Sequence, residues 1–293
     1  MSIPPVLWSL TLSLWLVACS GPPSTTPLAD RWQENRSKAA QLFRECRTDL
    51  AMAEYRKVLY LAELRDDQTG IADALLNLGT VHLVRGEPQE AAVQYRHARE
   101  RFQALGDPTA TLQTEIGLAS VQVGLGQPRA GVAAYQQLWQ QMEQDKRSLP
   151  LFRIMVLNGL AAAYRELGAF SQAHASLDQA EQEVKAVDSP RDLASTWMNR
   201  ARLYLQQGEE QKAAEEVGRA LAMDRAMENV LGIGADLMLL GTLAEKQHKI
   251  EQAQDYFRQA GSLFEYCGVD RQRIFSPAQR KYLQPDARNG PEK

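Results

Sequence analysis

Apolar and small residues recur along this chain at helical spacing. Within residues 72–111, Leu75, Leu78, Gly79 and His82 fall at i, i+3, i+4 and i+7, one face of an α-helix. Gly86 follows and ends that helix, because glycine takes the positive φ such a stop requires. Pro88 suits the first turn of a second helix. On that helix Ala91, Tyr95 and Ala98 recur at spacings of four and three. The segment therefore reads as a helical hairpin. Its small residues let the two helices approach, and the ring fills the space beside them.

The same unit runs through almost the whole chain after residue 30. One column of small residues reads Ala39, Gly79, Ala119, Ala161, Ala201 and Gly241, with steps of 40, 40, 42, 40 and 40. A second reads Ala51, Ala91, Gly131, Ala173, Ala213 and Ala253, with the same steps. The turn column is Cys46, Gly86, Gly126, Gly168, Gly208 and His248. The ring-or-aliphatic column is Tyr55, Tyr95, Tyr135, Leu177, Val217 and Phe257. A fixed period of this size marks a solenoid, in which each unit buries its face only against its neighbours. Asp107-Pro108 and Ser189-Pro190 are N-cap and first-turn pairs for the next helix.

The end units differ. Lys38 occupies a column that holds Leu78, Leu118, Leu160 and Leu240, as a polar capping hairpin would. Ser276-Pro277 opens a short helix expected to run to about Gln284. Ile274, Phe275, Tyr282 and Leu283 are placed to cover the last hairpin, and residues 285–293, with two Pro and one Gly, are expected to lack structure.

Composition changes this picture little. The 293 residues are 44% hydrophobic and 24% charged, within the ordinary globular range. With 33 basic and 36 acidic residues the formal charge is −3, so there is no basic excess to neutralise phosphates and nucleic acid is not an expected partner.

Residues 6–17 form an uncharged apolar run, Val-Leu-Trp-Ser-Leu-Thr-Leu-Ser-Leu-Trp-Leu-Val. A spanning helix needs about 20 apolar residues, so the run fits the core of a signal peptide instead. Residues 1–8 contain no Lys or Arg, a departure from the usual charged start. Cys46 and Cys267 fall in the first and last units. Stacked helices lie roughly 8–10 Å apart, and a disulfide needs Cα atoms within about 7 Å. These two thiols are therefore expected to lie tens of ångströms apart, partly buried and unbridged, even in an oxidising periplasm.

Candidate chemistry is sparse. None of His82, His97, His174 and His248 has a Cys, Asp or Glu at metal-ligand spacing on its helix, so no metal or other cofactor is expected. His82 stands in the column of Tyr164 and Tyr204 and reads as a packing residue. Gly124-Leu125-Gly126 follows no strand and lacks the Gly-Lys-Ser/Thr of a phosphate loop. No nucleophile elbow occurs, and an enzyme is not expected.

Leu-Gly, an aromatic, the turn Gly, then Ala, aromatic and Ala is similar to the tetratricopeptide repeat, over roughly residues 32–271. The resemblance implies an all-α, right-handed superhelical solenoid of about six hairpins plus a short C-terminal capping helix. The commonest unit of that family is shorter; the 40-residue form resembles kinesin light chain, spindle-orientation adaptors and bacterial peptide-sensing regulators. It further implies that first helices line a concave face that binds a protein or an extended peptide. Mapped onto this sequence, that face holds Leu76, Asn77, Thr80, Ile116, Gly117, Ser120, Asn158, Ala162, Met198, Asn199, Arg202, Met238 and Thr242. In peptide-binding relatives an Asn in the column of Asn77 and Asn199 bonds the ligand backbone through its amide. Arg36 and Asn77 match parts of the clamp that grips chaperone tails, but Ala40, Gln113 and Gly117 stand where it needs Asn and cations, which disfavours it.

Leu16-Val17-Ala18-Cys19 resembles the lipobox of bacterial lipoproteins. The resemblance implies a signal peptide over residues 1–18, lipidation at Cys19, a flexible tether over 19–30, the solenoid over 31–271 and a cap and tail over 272–293. Ser20 resembles the second residue of lipoproteins sorted to the outer membrane. The expected protein is a lipid-anchored, periplasm-facing scaffold or assembly factor, with a peptide-sensing regulator as the alternative.

Overall fold

The computed structural model describes residues 27–145 and 149–283. Cys19, its signal-like run and the tail from residue 284 lie outside the described residues. Twelve long helices form six hairpins: α1 (Pro27–Arg44) with α2 (Thr48–Leu64), α3 (Gln68–Val84) with α4 (Pro88–Leu105), and α5 (Pro108–Gly124) with α6 (Pro128–Gln144). Then come α7 (Pro150–Glu166) with α8 (Phe170–Val187), α9 (Pro190–Gln207) with α10 (Glu210–Ala226), and α11 (Val230–Lys246) with α12 (Ile250–Tyr266). Two short helices, α13 (Arg271–Ile274) and α14 (Pro277–Arg280), and a 3₁₀ turn at Lys281–Leu283 complete the described chain. The first helix begins at Pro27, inside the segment expected to be tether.

Every residue of the turn column has positive φ, from 58° at His248 to 80° at Gly208, including the non-glycine Cys46 at 64°. At Gly86 the turn closes with Gly86 N–H donating to Leu83 O and Glu87 N–H to His82 O, which satisfies carbonyls the helix leaves open. Helix starts follow the caps only in part. Asp107 accepts from the N–H groups of Thr109 and Ala110. Ser189, expected to act likewise, donates its hydroxyl to Asp192 at 2.6 Å instead.

The small columns do what their size suggests. Tyr95 is sandwiched between Gly79 of its own hairpin and Gly117 of the next, and a Cβ on either would come within 2.7 Å of its ring. Phe257 meets Gly241 in the same way. Polar residues in the leucine column are paired with acids on a second helix: Lys38 with Glu54 of its own hairpin at 2.8 Å, and Arg200 with Glu181 at 2.6 Å and Asp178 at 2.9 Å, both on α8 of the preceding hairpin. Burial pushes the Glu54 carboxyl up, but hydrogen bonds from Lys38 and Lys57 outweigh it and hold the group below the usual carboxylate range.

The ends of the solenoid meet, and here the sequence expectation is corrected. Cys46 and Cys267 form a disulfide with Cα atoms 4.7 Å apart, across a sequence separation of 221. Thr48 donates to Cys267 O from its backbone at 3.2 Å and from its hydroxyl at 2.5 Å. Arg85 donates to Gly268 O at 2.8 Å, and Arg273 lies 3.7 Å from Glu87. The expectation of distant thiols failed because successive hairpins also rotate, and the five rotations between six hairpins bring the last unit back to the first. The cap behaves as expected: Phe275 and Tyr282 are buried on the last hairpin with Ile274 and Leu283 beside them, and Tyr282 stacks on Phe257 at 5.2 Å.

Candidate functional site

The inner wall is built by the first helices of the hairpins. Successive first helices α3, α5, α7, α9 and α11 touch one another, so they form the tighter, concave side of the curve. A cavity of about 350 Å³ opens where α5, α6, α7 and α9 converge. Ile116, Val123, Tyr135 and Met155 give it apolar walls, and Ser120, Asn158, Asp192, Ser195 and Asn199 give it polar groups.

The polar groups are held in place by the fold. Ser120 donates to Ile116 O or exchanges a hydrogen bond with the Tyr135 hydroxyl at 2.7 Å. Burial pushes the Tyr135 phenol up to about 12, so it stays neutral and can donate. Asn199 donates to Asn158 Oδ1 at 3.2 Å, and Asn158 donates to Thr196 Oγ1 at 3.1 Å. Thr196 in turn is fixed by donating to Asp192 O. This chain aligns two amides across α7 and α9. Each amide has more donors and acceptors than the chain uses, so both retain capacity for an extended backbone.

Five of the mapped residues, Ile116, Ser120, Asn158, Ala162 and Asn199, line this one cavity. The others are spread along the wall. Leu76 and Met198 are buried in separate core clusters, and Met238 packs against the last one. Asn77 donates to Asp73 O at 2.8 Å, so its amide is partly committed within its own helix. Thr80 is bonded to Leu76 O and to the Tyr95 hydroxyl. Thr242 accepts from Gln279 of the cap at 3.3 Å. Met155, Asp192 and Ser195 line the cavity but are not among the mapped residues. They lie on the same faces as Asn158 and Asn199, three, seven and four residues earlier. Carrying the mapped face one or two turns back would have found them.

A second polar feature lies at the fifth and sixth hairpins. Asp236 is fully buried, and its carboxyl meets that of Asp224. Two carboxylates cannot bond each other; with one proton between them, they can. Burial and the neighbouring Asp224 push Asp236 up to about 8. Asn229 donates to Asp224 at 2.8 Å and secures the other side of the pair.

Hairpins packed in series, with a small-residue seam and a positive-φ turn in each, define a helical-repeat solenoid. Residues 194–227 match the tetratricopeptide-repeat family. That match spans one unit of an array whose units run to about 40 residues, and the chain resembles tetratricopeptide-repeat proteins in its series of hairpins. By sequence, no curated protein matches it. Among solved structures it is similar to a Rap protein complexed with competence and sporulation factor, at 11% identity and a TM-score of 0.65, over 81% of this chain and 76% of that one. It is also similar to the Rap conjugation gene regulator of the plasmid pLS20 in complex with the Phr* peptide, at 12% identity and a TM-score of 0.66, over 87% and 67%. The apo form of RapI matches at 11% identity and a TM-score of 0.55, over 81% and 98%. At these identities the likeness establishes the fold.

Proposed function

We propose that this protein is a non-catalytic binding scaffold that holds an extended segment of a partner protein on its concave wall, tethered to a bacterial membrane through lipid on Cys19. The observation that carries the first half is the aligned Asn158–Asn199 amide pair in a cavity with apolar walls. Amides suit peptide backbone, and Ile116 and Met155 offer adaptable contacts for its side chains. Of the similar structures named above, one is a complex with the Phr* peptide and another a complex with competence and sporulation factor, which supports the same reading.

The tether rests on the lipobox-like Leu16-Val17-Ala18-Cys19. No helix among the described residues is long and apolar enough to cross a membrane. The Cys46–Cys267 disulfide suits an oxidising compartment such as the periplasm. Ser20 favours the outer membrane. The scaffold reading is preferred to a sensor that changes superhelical pitch, because the disulfide restrains the two ends against such a change.

Photo-crosslinking in cells from position 199, with exposed His97 of α4 as the comparison, tests the groove. Partners captured from position 199 alone are expected; equal capture from both positions overturns the reading. Mass spectrometry of the membrane fraction is expected to find acylated Cys19, and a Cys19→Ser protein is expected to be soluble. An unacylated, soluble wild type overturns the tether alone.

A further inference from the structure

Beyond the amide pair the concave wall carries two arginines whose charge the protein leaves largely unanswered. Arg165 lies on α7 three residues past Ala162, and Arg202 lies on α9 three residues past Asn199. Ala162 and Asn199 both line the cavity, so each arginine stands about one turn further along the same wall. Gln206, one turn beyond Arg202, donates to Arg165 O at 3.2 Å and ties the two helices together at this level.

Arg202 is only partly accessible, with protein packed densely around it. Among the described residues it makes no hydrogen bond and no ion pair within 4.0 Å. That crowding, and then the Arg165 charge, push its guanidinium below the ordinary value. Arg165 donates once, to Glu166 at 2.7 Å, and its Nε is buried without a partner. The nearby acids do not restore balance. Asp236 is occupied with Asp224 and keeps its proton near neutral pH. Glu166 is exposed and already engaged with Arg165.

A desolvated guanidinium without a counter-charge is costly, and elsewhere in this chain the fold avoids it: Arg200, two residues away, has two carboxylates. The missing partner is an anion. Its shape follows from the donors, since a planar guanidinium presents parallel N–H groups that match a carboxylate. We infer that Arg202 and Arg165 form a carboxylate-holding subsite for the peptide bound on the concave wall, either its C-terminus or an Asp or Glu side chain. This rests on the groove reading proposed above. It employs neither Arg36 nor Asn77, the residues in which the sequence partly resembles the chaperone-tail clamp.

The test uses the disulfide-intact chain and fluorophore-labelled degenerate decapeptides, followed by anisotropy. Three mixtures are compared: free acid, C-terminal amide, and free acid with Asn and Gln in place of Asp and Glu. Wild type is expected to bind one of the two modified mixtures at least about 10-fold more weakly than the free acid, the loss of one charge-assisted pair. Loss with the amide identifies the C-terminus, and loss with the Asn/Gln mixture identifies a side chain. Arg202→Gln is expected to abolish that difference, and Arg202→Lys, which keeps charge but not the fork, to retain part of it. Asn199→Ala is expected to weaken all three mixtures alike. If wild type binds all three equally while Asn199→Ala weakens them, the carboxylate subsite is wrong and the groove stands. If wild type binds none, the groove reading falls and takes this one with it. The wild-type comparison needs no variant to fold.

Discussion

Tyr135 lies against the bare backbone of Gly159 on the next hairpin: a Cβ built on that glycine would stand 2.2 Å from Tyr135 Cζ and 2.5 Å from its hydroxyl oxygen. The ring cannot retreat, because its hydroxyl is bonded to Ser120 and its side chain is buried in the third-hairpin core. Gly159→Ala is therefore expected to destabilise. The overpacking costs about 1–3 kcal/mol, against about 1 kcal/mol recovered from helix propensity. Gly218, on an exposed face of α10, has nothing within 4 Å of the point where a Cβ would stand. There the same change should stabilise by about 0.5–1 kcal/mol. Urea denaturation of both variants checks the contrast; a stabilised Gly159→Ala protein would show that the contact is loose.

Asp236 links stability to pH. Its folded value, about 8, lies above the ordinary carboxyl value of 3.8, so between those limits the folded state binds more protons than the unfolded one. Its contribution to stability is complete at low pH and declines as pH rises from about 4 to about 8, with a slope of at most about 1.4 kcal/mol per pH unit. Asp236→Asn keeps a donor for Asp224 without titrating. The stability of wild type minus that of Asp236→Asn is expected to fall across this window. A difference that stays flat refutes the shared proton.

The Cys46–Cys267 bridge closes a very long loop, and restricting the unfolded chain by that much corresponds to about 5 kcal/mol in the entropic account. Reductant is expected to lower the wild-type melting temperature by several degrees. The Cys267→Ser protein should melt at the reduced wild-type temperature with or without reductant. Should reductant leave wild type unmoved, the bridge does not form in solution.

Much of this molecule is legible in its sequence, for a physical reason. The columns that define the hairpin record short-range demands: room for a ring beside Gly79 and Gly117, positive φ at Gly86 and Gly126. Each demand is met by one or two residue types, so it leaves a mark. Ring closure leaves none, because the rotation between hairpins is a sum of small volume differences over every interface. Cys46 illustrates the limit. It stands in the turn column where glycine serves elsewhere, and its φ of 64° was foreseeable, whereas its bond to Cys267 was not. The groove was half legible. Asn158 and Asn199 fall on the mapped face, but their mutual hydrogen bond depends on the packing angle of α7 against α9. The hydroxyl partners of the tyrosines follow no rule across the units: Thr80 bonds Tyr95 and Ser120 bonds Tyr135, but Ala40 stands in that column beside Tyr55 and Thr242 beside Phe257.

The seam at Cys46, Thr48, Cys267 and Gly268 has a consequence for how the array comes apart. In an open row of repeats the outermost units have one neighbour each, and melting begins there. Here the first and last hairpins are each other's neighbours, so the row has no outermost unit. Amide exchange in α2 and α12 should then be as slow as in α5 and α9, and unfolding should lose its fraying phase. Reducing a single bond would restore two free ends and, with them, a place for unfolding to start.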